Sequence, residues 1–252
     1  MNIQEHLSFI KYDSSLLCSL VGGSNLYGLA TADSDVDYRG LFVARAPLHK
    51  SGLHTITNIV TNSPHDATYY EIGHYMSLLR KSNTQVMEIL FAPLESFTYR
   101  SKFMIELYHL RYSLINTEVL KNSLRGYVYS ELKLATGERS GRLGGKRKDA
   151  VQHYGFSPKN FVQILRLCEV GKRFFESGEY VVNVADFGTE FHMLLLDIKT
   201  NPSSYTCETL EKLVSDSFAE LNLVMDGSKL RYDFNENLAA ELILEARELC
   251  GN

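Results

Sequence analysis

A chain of 252 residues, 44% hydrophobic and 22% charged, can bury a substantial core and matches neither a disordered nor a fibrous composition. Its formal charge of −4 excludes a chain that coats nucleic acid non-specifically, because such binding comes from many lysine and arginine contacts to phosphates. No stretch approaches the roughly 18 to 20 apolar residues of a membrane span, and the opening MNIQEHLSFIKYDSS lacks a signal peptide's apolar region, so the expected location is the cytoplasm with no membrane partner.

In chain order, short apolar runs bounded by turn residues predict strands at LLCSLV (16–21), VDYRGLFVA (36–44) and ATYYE (67–71). Helical periodicity then takes over. EIGHYMSLLRK puts Ile72, Tyr75, Met76 and Leu79 on one face, and QVMEILF follows a break at Ser82-Asn83-Thr84. SPKNFVQILRLCEVGKRFFESGE predicts a long helix with Ser157 as N-cap, Pro158 in the first position and Gly178 closing the end. Its apolar face holds Phe161, Ile164, Leu165, Cys168 and Phe175. Further helices are expected at 189–198, 209–224 and 237–250, with a short strand at 180–184 and a glycine-rich loop at 141–145. The organisation is α+β, with the sheet confined to the N-terminal part and a helical C-terminal part. Cys18, Cys168, Cys207 and Cys250 are far apart and form no C-x-x-C pair, which predicts reduced, structural thiols.

The segment VGGSNLYGLATADSDVDYRG (21–40) concentrates the chemistry. Gly22 and Gly23 let the backbone approach an anion closely, Ser24 adds a hydroxyl, and a helix starting near Ser24 would aim free N–H groups at the same anion. Gly23 to Gly28 has the G-x-x-x-x-G spacing, but Leu29 and Ala30 stand where a P-loop needs Lys and Ser/Thr. Asp35 and Asp37, two apart on a strand, share one face and repel unless a cation neutralises them. Carboxylate oxygens suit Mg²⁺ or Mn²⁺, which also take waters and substrate phosphates. A third carboxylate would complete a two-metal site: Asp66 is the first choice and Glu71 the second. Each piece alone also reads as a polar loop. The order of strand, G-G-S, short helix and S-D-x-D favours the functional reading.

These residues resemble the nucleotidyltransferase superfamily of the DNA polymerase beta type. Gly23, Ser24, Asp35 and Asp37 stand at its matching positions, and Asp66 matches by order and spacing. GGSNLYGLATADSDVDYRGLFV is similar to the RNA-ligase-associated, RNA-repair branch of bacteria and phages, with its G-S-x-x-Y-G-L-A-T-x-x-S-D-x-D-x-R-G pattern. LLRKSNTQVMEILF resembles the branch's K-G-N-P-N-x-x-E-x-L-F stretch, and GGKRKDAVQHYGFSPKNFVQILRL its K-R … Y-G-Y-D-x-K-H-x-x-H-x-x-R-L segment. The chain departs from these patterns at Asn83-Thr84-Gln85, Lys159-Asn160 and Gln163. The resemblance implies a small mixed-sheet nucleotidyltransferase domain over 1–120 and a helical substrate-binding or accessory domain over 121–252. It implies transfer of an NMP from an NTP to an acceptor hydroxyl, with Asp35, Asp37 and Asp66 holding Mg²⁺ or Mn²⁺ and an RNA end as acceptor. Two alternatives are nucleotidylation of a protein or small molecule, and a catalytically idle nucleotide or RNA binder.

Arg39 shares a strand face with Asp35 and Asp37, so it is either a phosphate contact or a salt-bridge partner of the aspartates. Lys146, Arg147, Lys159 and Arg166 either line a groove for triphosphate or RNA phosphates or are ordinary solvated charges. The resemblance favours a nucleotide role for Lys146, Lys159 and Arg166. No histidine pair has zinc-ligand spacing, and His65 is the one near the carboxylates. Tyr69, Tyr70, Tyr127, Tyr129 and Tyr154 either stack a base or pack the core.

Overall fold

The computed structural model describes residues 14–45, 47–62, 65–139 and 145–249. Arg142, Cys250, the opening thirteen residues and positions 141–144 of the glycine-rich loop lie outside the described residues.

One sheet contains β1 (Ser14–Val21), β2 (Asp37–Ala44), β3 (Asn58–Thr61), β4 (Asp66–Glu71) and β5 (Phe97–Arg100), in the order β3-β4-β2-β1-β5. The β2–β4 pair is parallel and every other pair antiparallel, so the sheet is mixed and the fold is α+β. The three strands expected from apolar runs are present. β3 and β5 were not expected, because four residues are too few to display a period-2 alternation.

The helices are α1 (Gly23–Leu26), α2 (Pro47–Lys50), α3 (Ile72–Arg80), α4 (Thr84–Phe91), α5 (Lys102–His109), α6 (Thr117–Ala135), α7 (Gly145–Tyr154), α8 (Pro158–Ser177), α9 (Thr189–Thr200), α10 (Cys207–Gly227) and α11 (Glu236–Leu249). The chain divides into two compact units: Met1–Leu120 with Arg231–Asn252, and Lys121–Leu230. Thus α11, which the sequence groups with the helical region, belongs with the sheet.

In the first unit, pleating separates two kinds of face. Asp37, Arg39 and Leu41 of β2 lie beside their register partners Asp66, Thr68 and Tyr70 of β4. The opposite face carries a core of Leu16, Tyr38, Phe42, Ile59, Ala67 and Tyr69. Asn83 caps α4 by accepting from the Gln85 N–H at 3.0 Å. Every residue of α4 except Gln85 is buried, and Glu88 is its single charge.

In the second unit, α8 buries Phe161, Ile164, Leu165, Cys168 and Phe175 as its periodicity predicts, and packs against α9 and α10. Pro158 opens the helix, and Gly178 ends it in the left-handed region at φ 82°. Ser157 occupies the N-cap position, but its hydroxyl bonds to Asn160 Oδ1 at 2.6 Å instead of a backbone amide. Residues 180–184 are not a strand. Tyr180, Val182 and Val184 do alternate into the core, but no strand pairs with them among the described residues.

Cys18 and Cys168 are buried free thiols, and burial pushes each up to about 12. The half-buried Cys207 is also free, and burial raises it as well. Among the described residues no helix is long and apolar enough to cross a membrane.

Candidate active site

β1 delivers the chain to the glycine pair at the edge of β2. The Gly22 N–H donates to the Asp37 carbonyl at 2.7 Å, carrying the β1–β2 ladder one step past the Val21–Tyr38 pair. Gly23 has φ 60°, and a Cβ there would stand 2.3 Å from Asp37 Oδ2. A Cβ at Gly22 would meet the Arg39 stem at 3.0 Å. The turn therefore lies on the side chains of Asp37 and Arg39, and glycine is what permits that approach. α1 begins at Gly23 and is a single turn with Gly22 at its N-cap and Tyr27 at its C-cap. So short a helix builds little macrodipole, which leaves any anion grip to local amides and the half-buried Ser24 hydroxyl.

The D-x-D motif straddles the start of the strand. β2 begins at Asp37, because β1 has turned away at Gly22 and β4 supplies its first partner, Asp66, opposite Asp37. Asp35 sits in the exposed loop before the strand, where its carbonyl accepts from Asn25 Nδ2 at 3.4 Å. The expectation of Asp35 and Asp37 together on one strand is therefore corrected.

Asp37 and Asp66 lie side by side on neighbouring parallel strands, about 4.8 Å apart between backbones. Neither carboxylate has a hydrogen bond or ion pair with another described residue. Like charges this close repel unless a cation lies between them. Among the described residues no three His, Cys, Asp or Glu side chains gather as a metal cluster. Two adjacent carboxylates without an ion pair among the described residues nevertheless fit Mg²⁺, which commonly takes one or two carboxylates and fills its octahedron with waters and substrate phosphates.

Glu71 is excluded from this cluster. Five residues beyond Asp66, it faces the other side of the sheet at the opposite end of β4, and is 1% exposed. Its Oε2 caps α3 by accepting from the Gly73 and His74 N–H groups at 2.7 and 3.4 Å. Its Oε1 faces His49 Nε2 at 3.3 Å and Arg247 Nη2 at 3.6 Å. The Ile56 N–H donates to His49 Nδ1 at 3.1 Å, so the ring hydrogen resides on Nε2, toward Glu71. Of the two choices for a third carboxylate, Asp66 alone lies beside Asp37.

Arg39 shares the face of Asp37, but its Nη1 pairs with Glu88 Oε2 at 3.2 Å. The same oxygen accepts from the Tyr27 hydroxyl at 2.5 Å. Burial by itself would lower the Arg39 guanidinium, but the fields of Tyr27, Glu88, Tyr70 and Asp37 outweigh it and the net shift is upward. Arg39 is thus a permanent cation at the edge of the turn. Tyr70, half-buried beside it, is raised by burial, with Arg39 opposing and Glu88 adding to the shift. Sequence reasoning gave Glu88 and Tyr27 no role, although both stand at fixed positions of the quoted patterns. A second signal was one glutamate inside the apolar run VMEILF, which a buried helix retains only if it is paired.

Lys146, Lys159 and Arg166 belong to the second unit. Lys146, at the start of α7, and Lys159, in the first turn of α8, are exposed. Arg166 is fully buried, not a helix-surface charge, and its Nε donates to Gln163 Oε1 at 3.2 Å. His65 contacts the ring of Tyr38. Tyr69 is core, bonded to the Ser19 hydroxyl at 3.1 Å; Tyr127 and Tyr154 are half-buried, and Tyr129 is exposed edge-on to Phe218.

Among curated proteins none matches this sequence. Residues 2–136, more than half of the chain, match the model of a family described as the RNA repair pathway DNA polymerase beta family. The matched stretch holds the glycine turn, Asp35, Asp37, Asp66 and Glu88, whereas Lys146, Lys159 and Arg166 lie beyond it. With its glycine-serine turn seated on a carboxylate strand and that match, the chain belongs to the RNA repair pathway DNA polymerase beta family.

Proposed function

We propose that this protein is a metal-dependent nucleotidyltransferase that moves an NMP from an NTP to the hydroxyl of an RNA end. The observation that carries the reading is the seating of Gly22-Gly23-Ser24 on the side chains of Asp37 and Arg39. The turn's amides and the Ser24 hydroxyl hold the triphosphate, and Arg39 neutralises a phosphate oxygen. Asp37 and Asp66, with Asp35 from the preceding loop, hold Mg²⁺ or Mn²⁺. The bound metal supplies charge stabilisation to the attacking and leaving oxygens. The acceptor oxygen forms a bond to the α-phosphorus, the bond from that phosphorus to the β-phosphate bridge breaks, pyrophosphate leaves, and the hydroxyl proton passes to solvent. Lys146 and Lys159 are exposed cations suited to RNA phosphates. Arg166, being buried, is better suited to supporting α8 than to touching a nucleotide.

The test is incubation with labelled NTPs, Mg²⁺ or Mn²⁺ and mixed RNAs, beside a chain carrying Asp35→Ala and Asp37→Ala. Label on RNA with the intact chain and none with the control is the expected result. Label on protein instead supports a protein acceptor. NTP binding without transfer to any acceptor supports the idle binder.

A further inference from the structure

Arg39 and Asp37 are two positions apart on one face of β2, about 6.6 Å along the strand, within easy reach for a guanidinium and a carboxylate. The ion pair forms elsewhere, with Glu88 of α4. A carboxylate in a helix buried nearly all round costs desolvation, and an apolar side chain would fill the position as well. One oxygen of Glu88 receives both the Tyr27 hydroxyl, from the end of the glycine-serine turn, and Arg39 Nη1, from the carboxylate strand. The other guanidinium N–H groups have no hydrogen-bond partner among the described residues, and the Arg39 side chain is 20% exposed.

We infer that Glu88 is a positioning residue: it holds Arg39 out of an ion pair with Asp37, leaving Asp37 and Asp66 open to a divalent cation and the outer edge of Arg39 to a phosphate oxygen. Through Tyr27 it also anchors the turn over the same spot. The inference rests on the metal-dependent nucleotidyltransferase reading. Without the charge of Glu88, Arg39 turns to Asp37 and competes with the metal.

The test measures Mn²⁺ binding to the full chain by electron paramagnetic resonance, alone and with an NTP analogue whose α–β bridge cannot be cleaved. Glu88→Gln keeps the volume and an acceptor for Tyr27 but loses the charge, and should weaken Mn²⁺ roughly 10- to 100-fold, the usual range for partners that orient metal ligands. Adding Arg39→Met to Glu88→Gln removes the competitor and should restore Mn²⁺ affinity. Tyr27→Phe should weaken the analogue and leave Mn²⁺ alone unchanged. General loosening of the site would make the double variant no better than Glu88→Gln, and that result, or wild-type Mn²⁺ affinity in Glu88→Gln, overturns the inference. Should Glu88→Gln fail to fold, Arg39→Met alone decides: its Mn²⁺ affinity must equal or exceed wild type while the analogue weakens. A wild-type chain that binds no Mn²⁺ with or without analogue refutes the transferase reading itself, and the positioning role with it.

Discussion

Glu71 and Glu88 are each 1% exposed and each faces an arginine, yet their surroundings differ in kind. Oε2 of Glu71 caps the first amides of α3, while its Oε1 lies within ion-pair distance of His49 and Arg247 without a hydrogen bond. Glu88 holds an arginine that keeps part of its guanidinium accessible at the glycine turn. Glu71 thus closes the start of a helix onto its cluster with His49 and Arg247, whereas Glu88 ties the glycine turn to the carboxylate strand. Neither burial nor the exposure of the partner arginine distinguishes the two, since Arg247 is 37% exposed and Arg39 20%; what each carboxylate holds does.

The largest effect that can break this comparison is at Glu71. Glu71→Ala removes the α3 cap and leaves Arg247 without its buried carboxylate, so unfolding in urea should show a loss of about 3–5 kcal/mol. Transfer activity per folded molecule should persist at low temperature. An unchanged urea midpoint would mean that the closed cluster is not structural.

Asp37 behaves oppositely. Asp37→Asn should reduce transfer by about 10²–10³-fold or more, the scale of losing one group that stabilises transition-state charge. Its melting temperature should hold or rise, because the repulsion between Asp37 and Asp66 is relieved. A fall in both activity and melting temperature would reassign Asp37 to the fold. On the proposed reading, metal binding offsets the cost to stability of the adjacent carboxylates.

What was legible in the sequence follows the same division. The ordered G-G-S and D-x-D elements share one short segment, so their place at the β1–β2 junction and the α+β class could be read directly. Helices α3 and α8 were legible because each repeats its apolar stripe over at least two turns, and α4 because its apolar run follows the break at 82–84. β3 and β5 were too short, and the strand status of Asp35 depended on where β1 and β4 stop pairing, which is a tertiary fact. The choice between Asp66 and Glu71 required the parallel register, since five residues along a strand reverse the face. Glu88 lies 49 residues from its partner Arg39, a distance over which sequence pattern says nothing about pairing.

The thiols give a smaller effect; among the described residues one buried thiol lies in each unit. Cys18 and Cys168 are held protonated by burial, their pKa raised from 9.0 to about 12. Their contribution to stability is therefore complete below pH 9 and is lost progressively as pH rises from 9 toward 12. Peptide mapping after iodoacetamide at pH 8 should find both unmodified in the folded chain and Cys207 labelled first of the three. Rapid labelling of Cys18 would indicate that the sheet opens at β1, between β2 and β5.

The smallest effect isolates the attachment of α11. Among the described residues, two ion pairs join this helix to the rest of the first unit: Arg247 to Glu71 at 3.6 Å, and Arg80 to Glu236 at 2.6 Å. The shorter pair should matter less, because both of its side chains are more than 60% exposed and water screens them. Arg80→Met should change stability by no more than about 1 kcal/mol, and less at high salt. Arg247→Met strips a buried carboxylate of a cation and should cost more than Arg80→Met but less than Glu71→Ala, since His49 and the α3 amides still hold Glu71. The order Glu71, Arg247, Arg80 in urea midpoints is the expected result, measured on the full chain at low and high salt. Equal losses for the two arginines would show that distance, and not the enclosure of the partner, sets the strength of these pairs.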